Sequence, residues 1–364
     1  MTLALQAPPP NEIAAALGKR VIGQAGAVKE MAIALSKKLA GLGVGNILMI
    51  GSSGTGKTTL MRAVEKFLAA DPVLASRSAV VRIHANVLGE EAQAGRPGEA
   101  VMRRLLERAR EQLGDGAGTA AIVLRAAQGL VFVDEVDKIR SHVGGTVNVA
   151  GIRAQEALLT LIENEAVPVV LPEWLGGGAT TVDSSGLLFV CAGAFEGLYD
   201  AVYDRVTIGV DKGSLQPVTV VEGGRVKEEL RFELRDWLRN EDLFDYGMSP
   251  QFLSRFDAVV MLENLGEEEL LKIFLEGPDS GFIQTRAFFE SRGVKLAMSP
   301  NAARAIAQAA RRQPRLGARA LKEVFRRGLR DFEFDPEATT VSTQVDEVFE
   351  QRRGVCQDFA HLAL

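Results

Sequence analysis

The stretch Gly51-Ser-Ser-Gly-Thr-Gly-Lys-Thr58 fits the pattern G-x-x-x-x-G-K-[ST] and lies between an apolar run, Asn46–Ile50, and a helical pattern that starts at Thr58. A strand that runs into a glycine-rich turn and then a helix makes an anion site: backbone N–H groups curl round phosphate, and the helix adds its positive N-terminal end. Gly51, Ser52, Ser53, Gly54, Thr55 and Gly56 supply the curling backbone, Lys57 reaches the β and γ oxygens, the Thr58 hydroxyl ligates Mg²⁺, and Thr59 closes the segment. A Gly/Ser-rich turn can be merely a turn, but its strand and helix flanks favour the phosphate reading. ATP and Mg²⁺ are the expected ligands.

Further along, Leu130-Val-Phe-Val-Asp-Glu-Val-Asp137 is an apolar run ending in paired carboxylates. By itself an Asp-Glu pair at a strand end is as readily a solvated cap. Downstream of a phosphate loop it takes on a role. Asp134 is expected to hold Mg²⁺ through water, and Glu135 to orient and activate the attacking water.

Four short apolar runs bounded by turn residues, 46–50, 79–83, 130–133 and 187–190, suit strands buried on both faces. Helical patterns at 58–69, 99–113 and 152–163 separate them, so the alternation predicts a parallel sheet covered by helices. Residues from Pro10 to about Leu42 read as one amphipathic helical stretch. Asp211–Glu229, rich in Gly and charge, reads as a loop or hairpin insertion. Beyond Glu267 the strand signal fades into helical segments at 267–289 and 300–330, joined through Gly293–Met298.

The balance of 42 basic and 47 acidic residues argues against a general coat for polyanions. Two cysteines, Cys191 and Cys356, offer neither a disulfide framework nor a cysteine zinc module, and a reducing cytoplasm fits. No charged leader with an apolar core and no apolar run of membrane length appears, so neither export nor membrane insertion is expected.

Several segments resemble the ClpX and HslU branch of the AAA+ family over about residues 10–330. Val21-Ile-Gly-Gln24 is similar to the box that packs on adenine through Val21 and Ile22, and Asp134-Glu-Val-Asp-Lys-Ile139 to the extended carboxylate box. Gly193-Ala-Phe-Glu-Gly-Leu198 follows a buried strand as it does in that branch. Gly247–Phe256 resembles the arginine-finger box, and Arg315-Leu-Gly-Ala-Arg-Ala-Leu321 the sensor 2 box. The resemblance implies an α/β core of the P-loop AAA+ type over 1–262, a smaller, mostly helical domain over 263–334, and a tail over 335–364. It also implies that Arg255 reaches the γ-phosphate of a neighbouring subunit, while Arg319 touches nucleotide in its own. A guanidinium placed where charge develops on the transferred phosphoryl contributes about 10³ to 10⁵ in rate. Supplying it in trans makes turnover depend on a homo-oligomeric ring, expected to be a hexamer.

The implied activity is ATP-driven remodelling of a protein client in the cytoplasm, as by a chaperone or unfoldase. The alternative is an ATPase that translocates nucleic acid, served by the basic cluster Arg304, Arg311, Arg312, Arg315, Lys322, Arg326, Arg327 and Arg330; a solvated face and subunit contact is the preferred reading of that cluster. Three positions depart from the family. The gripping pore loop, aromatic in the family, reads Ala94-Gly-Arg-Pro-Gly98; the protease-docking tripeptide has only Ile208-Gly-Val210 in a comparable place, which weighs against a protease partner; and the sensor 1 position near Ala192 lacks a polar side chain, leaving Cys191 as a poor substitute. The segment Glu350–Leu362 resembles the nucleophile region of transglutaminase-like proteins, with Cys356 opening a helix. His361 is set well round such a helix from Cys356, so residues 331–364 read as a truncated or fused fragment without an active thiol.

Overall fold

The continuous apolar runs become strands of one sheet, and burial on both faces explains why the inner ones show no alternation: β8 is buried at every position, β3 at all but its last and β1 at all but its first. The computed structural model describes residues 7–96, 98–163, 166–208, 217–222, 225–230, 232–291, 296, 298–313, 316–330, 333–334 and 353–354. Its strands are β1 (Asn46–Ile50), β2 (Val80–His84), β3 (Leu130–Asp134), β4 (His142–Val143), β5 (Thr146–Val147), β6 (Val167–Val170), β7 (Ala179–Val182), β8 (Leu188–Gly193), β9 (Pro217–Glu222), β10 (Arg225–Leu230), β11 (Phe256–Met261), β12 (Glu333–Phe334) and β13 (Arg353–Gly354). Five of them form a sheet in the order β11-β1-β8-β3-β2, every pair parallel. The pairs β4–β5, β6–β7 and β9–β10 are separate antiparallel hairpins. The last lies within the expected insertion, of which 211–216 and 223–224 are outside the described residues.

The helices are α1 (Pro10–Gly18), α2 (Ala25–Leu39), α3 (Lys57–Ala70), α4 (Pro72–Ala75), α5 (Ala85–Gln93), α6 (Glu99–Leu113), α7 (Thr119–Ala126), α8 (Val149–Glu163), α9 (Leu198–Thr207), α10 (Leu234–Trp237), α11 (Asn240–Tyr246), α12 (Pro250–Leu253), α13 (Glu267–Glu276), α14 (Gly281–Glu290), α15 (Pro300–Arg311) and α16 (Arg319–Arg330). The chain is thus an α/β protein with a parallel sheet, helices and a helical part.

The described residues divide into two compact units. The first comprises those of Met1–Pro9, Ile33–Ile50 and Glu65–Met261, and the second those of Pro10–Ala32, Gly51–Val64 and Leu262–Leu364. In the first, one sheet face, including Leu48, Ile50, Val131, Val133 and Phe189, packs with Leu88, Leu105, Leu106, Leu158 and Leu161 of the helices between strands. In the second, Leu270, Phe274, Phe282, Ala303, Ala307, Leu321 and Phe325 bring α13 to α16 round one small core. The small alanines of α15 let it approach α13 and α16 closely.

Two expectations are corrected. Residues 10 to 42 are not one helical stretch: α1 ends at Gly18, and Gly23, at φ +76°, takes a left-handed conformation that interrupts any helix before α2. The fifth sheet strand, β11, is one the apolar runs do not announce. It lies on the sheet edge, Asp257 interrupts its apolar residues, and its burial alternates, so it carries no continuous run. Most of the linker Gly293–Met298, and most of the tail including Cys356, lie outside the described residues.

Candidate nucleotide site

The phosphate loop lies in the second unit with its glycines in the conformations the motif requires: Gly54 has φ +74° and Gly56 φ +110°. α3 begins at Lys57, so its N-terminal amide end follows the turn directly. Lys57, 8% exposed, donates from Nζ to the Gly51 carbonyl and to the Ser52 carbonyl at 3.0 Å, which holds the ammonium over the loop. Thr55 is buried, and its Oγ1 donates to the Ser52 carbonyl at 2.8 Å.

The same unit brings the sensor 2 segment onto this loop. Arg319, the first residue of α16, donates from Nη1 to Ser53 Oγ at 2.9 Å, and the Ala318 N–H donates to the Gly54 carbonyl at 3.1 Å. The approach is so close that a Cβ built on Gly54 falls 2.1 Å from the Leu316 carbonyl oxygen. A side chain on Gly51 would likewise meet Leu262. Of the adenine box, Val21 is buried and Ile22 half-buried. Arg315 lies outside the described residues.

The carboxylates belong to the first unit. β3 carries Asp134 to its C-terminal end, where Asp134 pairs in register with Ala192 of β8 on one side and His84 of β2 on the other. Glu135 follows at φ +62°, a left-handed conformation that costs a non-glycine residue about 1 kcal/mol and that clusters at functional sites. Its carboxylate is half exposed, with Oε2 at 3.7 Å from His84 Nδ1. One strand over, Phe195 is the other non-glycine residue with positive φ among the described residues, at +50°. The two turns are tied by Asp137, 1% exposed, whose Oδ1 accepts the Ala194 N–H at 3.0 Å.

Thr58 and Asp134 offer a hydroxyl and a carboxylate, hard oxygen donors of the kind Mg²⁺ takes alongside substrate phosphates and water. Among the described residues no group of three or more His, Cys, Asp or Glu side chains is gathered round a metal position.

Arg255 sits elsewhere. It precedes β11, whose first residue, Phe256, pairs with Asn46 at the start of β1; Asp134 is level with Ala192, Met49 and Val260, near the other strand ends. At 3.3 Å per residue and 4.8 Å per strand, Arg255 lies roughly 20 Å from Asp134. Its guanidinium, half exposed, is ion-paired with Glu163 at the end of α8.

Other candidates are placed more plainly. Cys191 is fully buried in β8, and burial pushes its thiol pKa far up, so it remains a neutral thiol. Arg96 of the loop 94–98 pairs with Glu99 at 3.3 Å, and Pro97 is outside the described residues. Ile208 is well exposed; Gly209 and Val210 are outside them. In the basic cluster, Arg327 pairs with Glu323 at 2.8 Å and Arg304 with Glu268 at 3.5 Å. Among the described residues no helix is long and apolar enough to cross a membrane.

Sequence reasoning passed over Asp137, His84 and Gln24 as site residues. Gln24 stands just before α2, where Ser, Thr, Asp or Asn is the usual cap, and its sequence position alone gives no sign of the bonds its side chain makes.

A strand-turn-helix phosphate loop and a parallel sheet in which β3 ends in paired carboxylates are the parts of a P-loop ATPase, and the family model described as AAA domain (Cdc48 subfamily) matches residues 43–259. The chain belongs to that family and is an ATP hydrolase. It is ClpX-like. It is 32% identical over 351 residues to the ATP-dependent Clp protease ATP-binding subunit ClpX 3 of Methylococcus capsulatus, spanning 89% of this chain and 75% of the relative. It is 28% identical over 349 residues to the ATP-dependent Clp protease ATP-binding subunit ClpX of Treponema denticola, spanning 90% of this chain and 77% of the relative.

Proposed function

We propose that this chain is a cytoplasmic, ATP-driven remodeller of protein clients that works as a ring, expected to be a hexamer. The observation that carries this reading is the likeness, along most of its length, to the ATP-binding subunits of an ATP-dependent protease. In it, residues 1–262 form the large ATPase domain and 263–334 the small one. Val21 and Ile22 contact adenine, residues 51–59 hold the phosphates, and Lys57 takes the β and γ oxygens. Thr58 and Asp134 hold Mg²⁺, which when bound offsets charge on the phosphates. Glu135 orients and deprotonates the attacking water, Arg319 contacts nucleotide in its own subunit, and Arg255 contacts it in the next. The distance of Arg255 from Asp134 within one chain supports that last role.

A protease partner is not part of this reading, because the docking tripeptide is incomplete. Cys356 is given no role. The likeness to ClpX subunits does not favour the nucleic-acid alternative, and Arg304 and Arg327 of the basic cluster are ion-paired within the chain. The test is ATP turnover by the purified full chain with and without a chemically unfolded protein. Turnover should rise with unfolded protein and vanish in Lys57→Ala. Stimulation by duplex DNA instead of protein, or undiminished turnover in Lys57→Ala, would overturn the reading.

A further inference from the structure

Gln24 is 3% exposed and spends its whole carboxamide on backbone. Nε2 donates to the Thr55 carbonyl at 3.0 Å and to the Glu263 carbonyl at 2.8 Å, while Oε1 accepts the Glu263 N–H at 3.0 Å. All three partners lie in the second unit. Pairing with both polar groups of Glu263 requires a donor and an acceptor in one plane, and the bond to Thr55 requires the second amide proton. A glutamate keeps only acceptors and adds a buried charge. A methionine keeps the length and removes every bond.

Thr55 is in the phosphate loop, and the Thr55–Gly56 peptide is trans, so its carbonyl and the Gly56 N–H point in opposite directions. A peptide preceding glycine is the one most free to flip, because glycine accepts either sign of φ. Gln24 holds the Thr55 carbonyl to one side and thereby sets where the Gly56 N–H points. We propose that Gln24 is a positioning residue for ATP: it fixes this peptide in its phosphate-binding orientation and links it to Glu263, which leads into α13. The inference rests on the phosphate-loop reading given above. Because linkage is reciprocal, nucleotide on the loop should in turn tighten the Glu263 amide.

The test uses the full chain and three variants: Gln24→Met, Gln24→Glu and Lys57→Ala. Binding of a non-hydrolysable ATP analogue is followed by calorimetry, and turnover is fitted for kcat and KM. Both Gln24 variants should weaken binding and raise KM by about tenfold or more, the scale of one broken buried amide network, with kcat at saturation little changed. A purely structural role would lower the melting temperature without this split. Wild-type affinity in folded Gln24→Met, or a fall in kcat at unchanged KM, would overturn the proposal. Should neither variant fold, hydrogen exchange at the Glu263 amide of the wild type decides: the analogue should slow it, and unaltered exchange contradicts the link. A wild type that fails to bind the analogue, or a Lys57→Ala variant that binds it equally well, would instead sink the phosphate-loop reading.

Discussion

Arg255 and Asp134 stand towards opposite ends of the same parallel sheet, with Arg255 paired to Glu163 of its own chain. Neither partner of that ion pair is buried, and such pairs contribute about 1 kcal/mol or less. Arg255→Ala should therefore shift the urea midpoint only slightly. It should leave ATP affinity intact and lower kcat by about 10³-fold. Parallel loss of affinity and turnover would place Arg255 in its own chain's pocket.

Gly54 has both a left-handed φ and a backbone oxygen of Leu316 where a Cβ would go, and backbone cannot rotate away as a side chain can. Gly54→Ala is expected to cost about 2 kcal/mol or more through strain and the displaced sensor 2 segment. Nucleotide affinity should fall with it. Calorimetric binding at the wild-type level, with an unchanged melting temperature, would show that this contact is not required.

Glu135 keeps a conformation that asparagine tolerates better than glutamate. Glu135→Asn should raise stability in urea by about 1 kcal/mol and reduce turnover by about 10² to 10⁴. A loss of stability would mean that the His84 contact outweighs the backbone strain.

What the sequence makes legible is what local chemistry dictates. The phosphate loop, the buried strands and the carboxylates at the end of β3 follow from motif and continuous apolar runs. β11 escapes because an edge strand has only one well-covered face and tolerates Asp257. The break at Gly23 escapes because one left-handed glycine stops a helix while leaving the apolar spacing of α2 intact. Gln24 escapes for another reason: its three bonds join residues far apart in the chain, a relation that periodicity does not encode.

Lys38 gives a test by pH. Burial lowers its pKa from 10.5 to about 8, while its Nζ donates to the Gly186 carbonyl. The native state releases this proton before the unfolded chain does, so the lysine's cost is full below pH 8 and is relieved as pH rises from about 8 towards 10.5. Lys38→Met has no such relief. Its stability relative to wild type, measured by urea unfolding, should decline by about 1–2 kcal/mol between pH 7.5 and 9.5. A pH-independent difference would mean that Lys38 is neutral or solvated throughout.

The division of one catalytic site between chains is tested most directly by mixing Glu135→Gln with Arg255→Ala and measuring ATP turnover. Each variant alone should be nearly inactive. In mixed rings, some interfaces pair an intact Glu135 from one chain with an intact Arg255 from the next, so activity should reappear on mixing and peak near equal amounts. A mixture that stays as inactive as its components, under conditions where the chains exchange, would contradict the account.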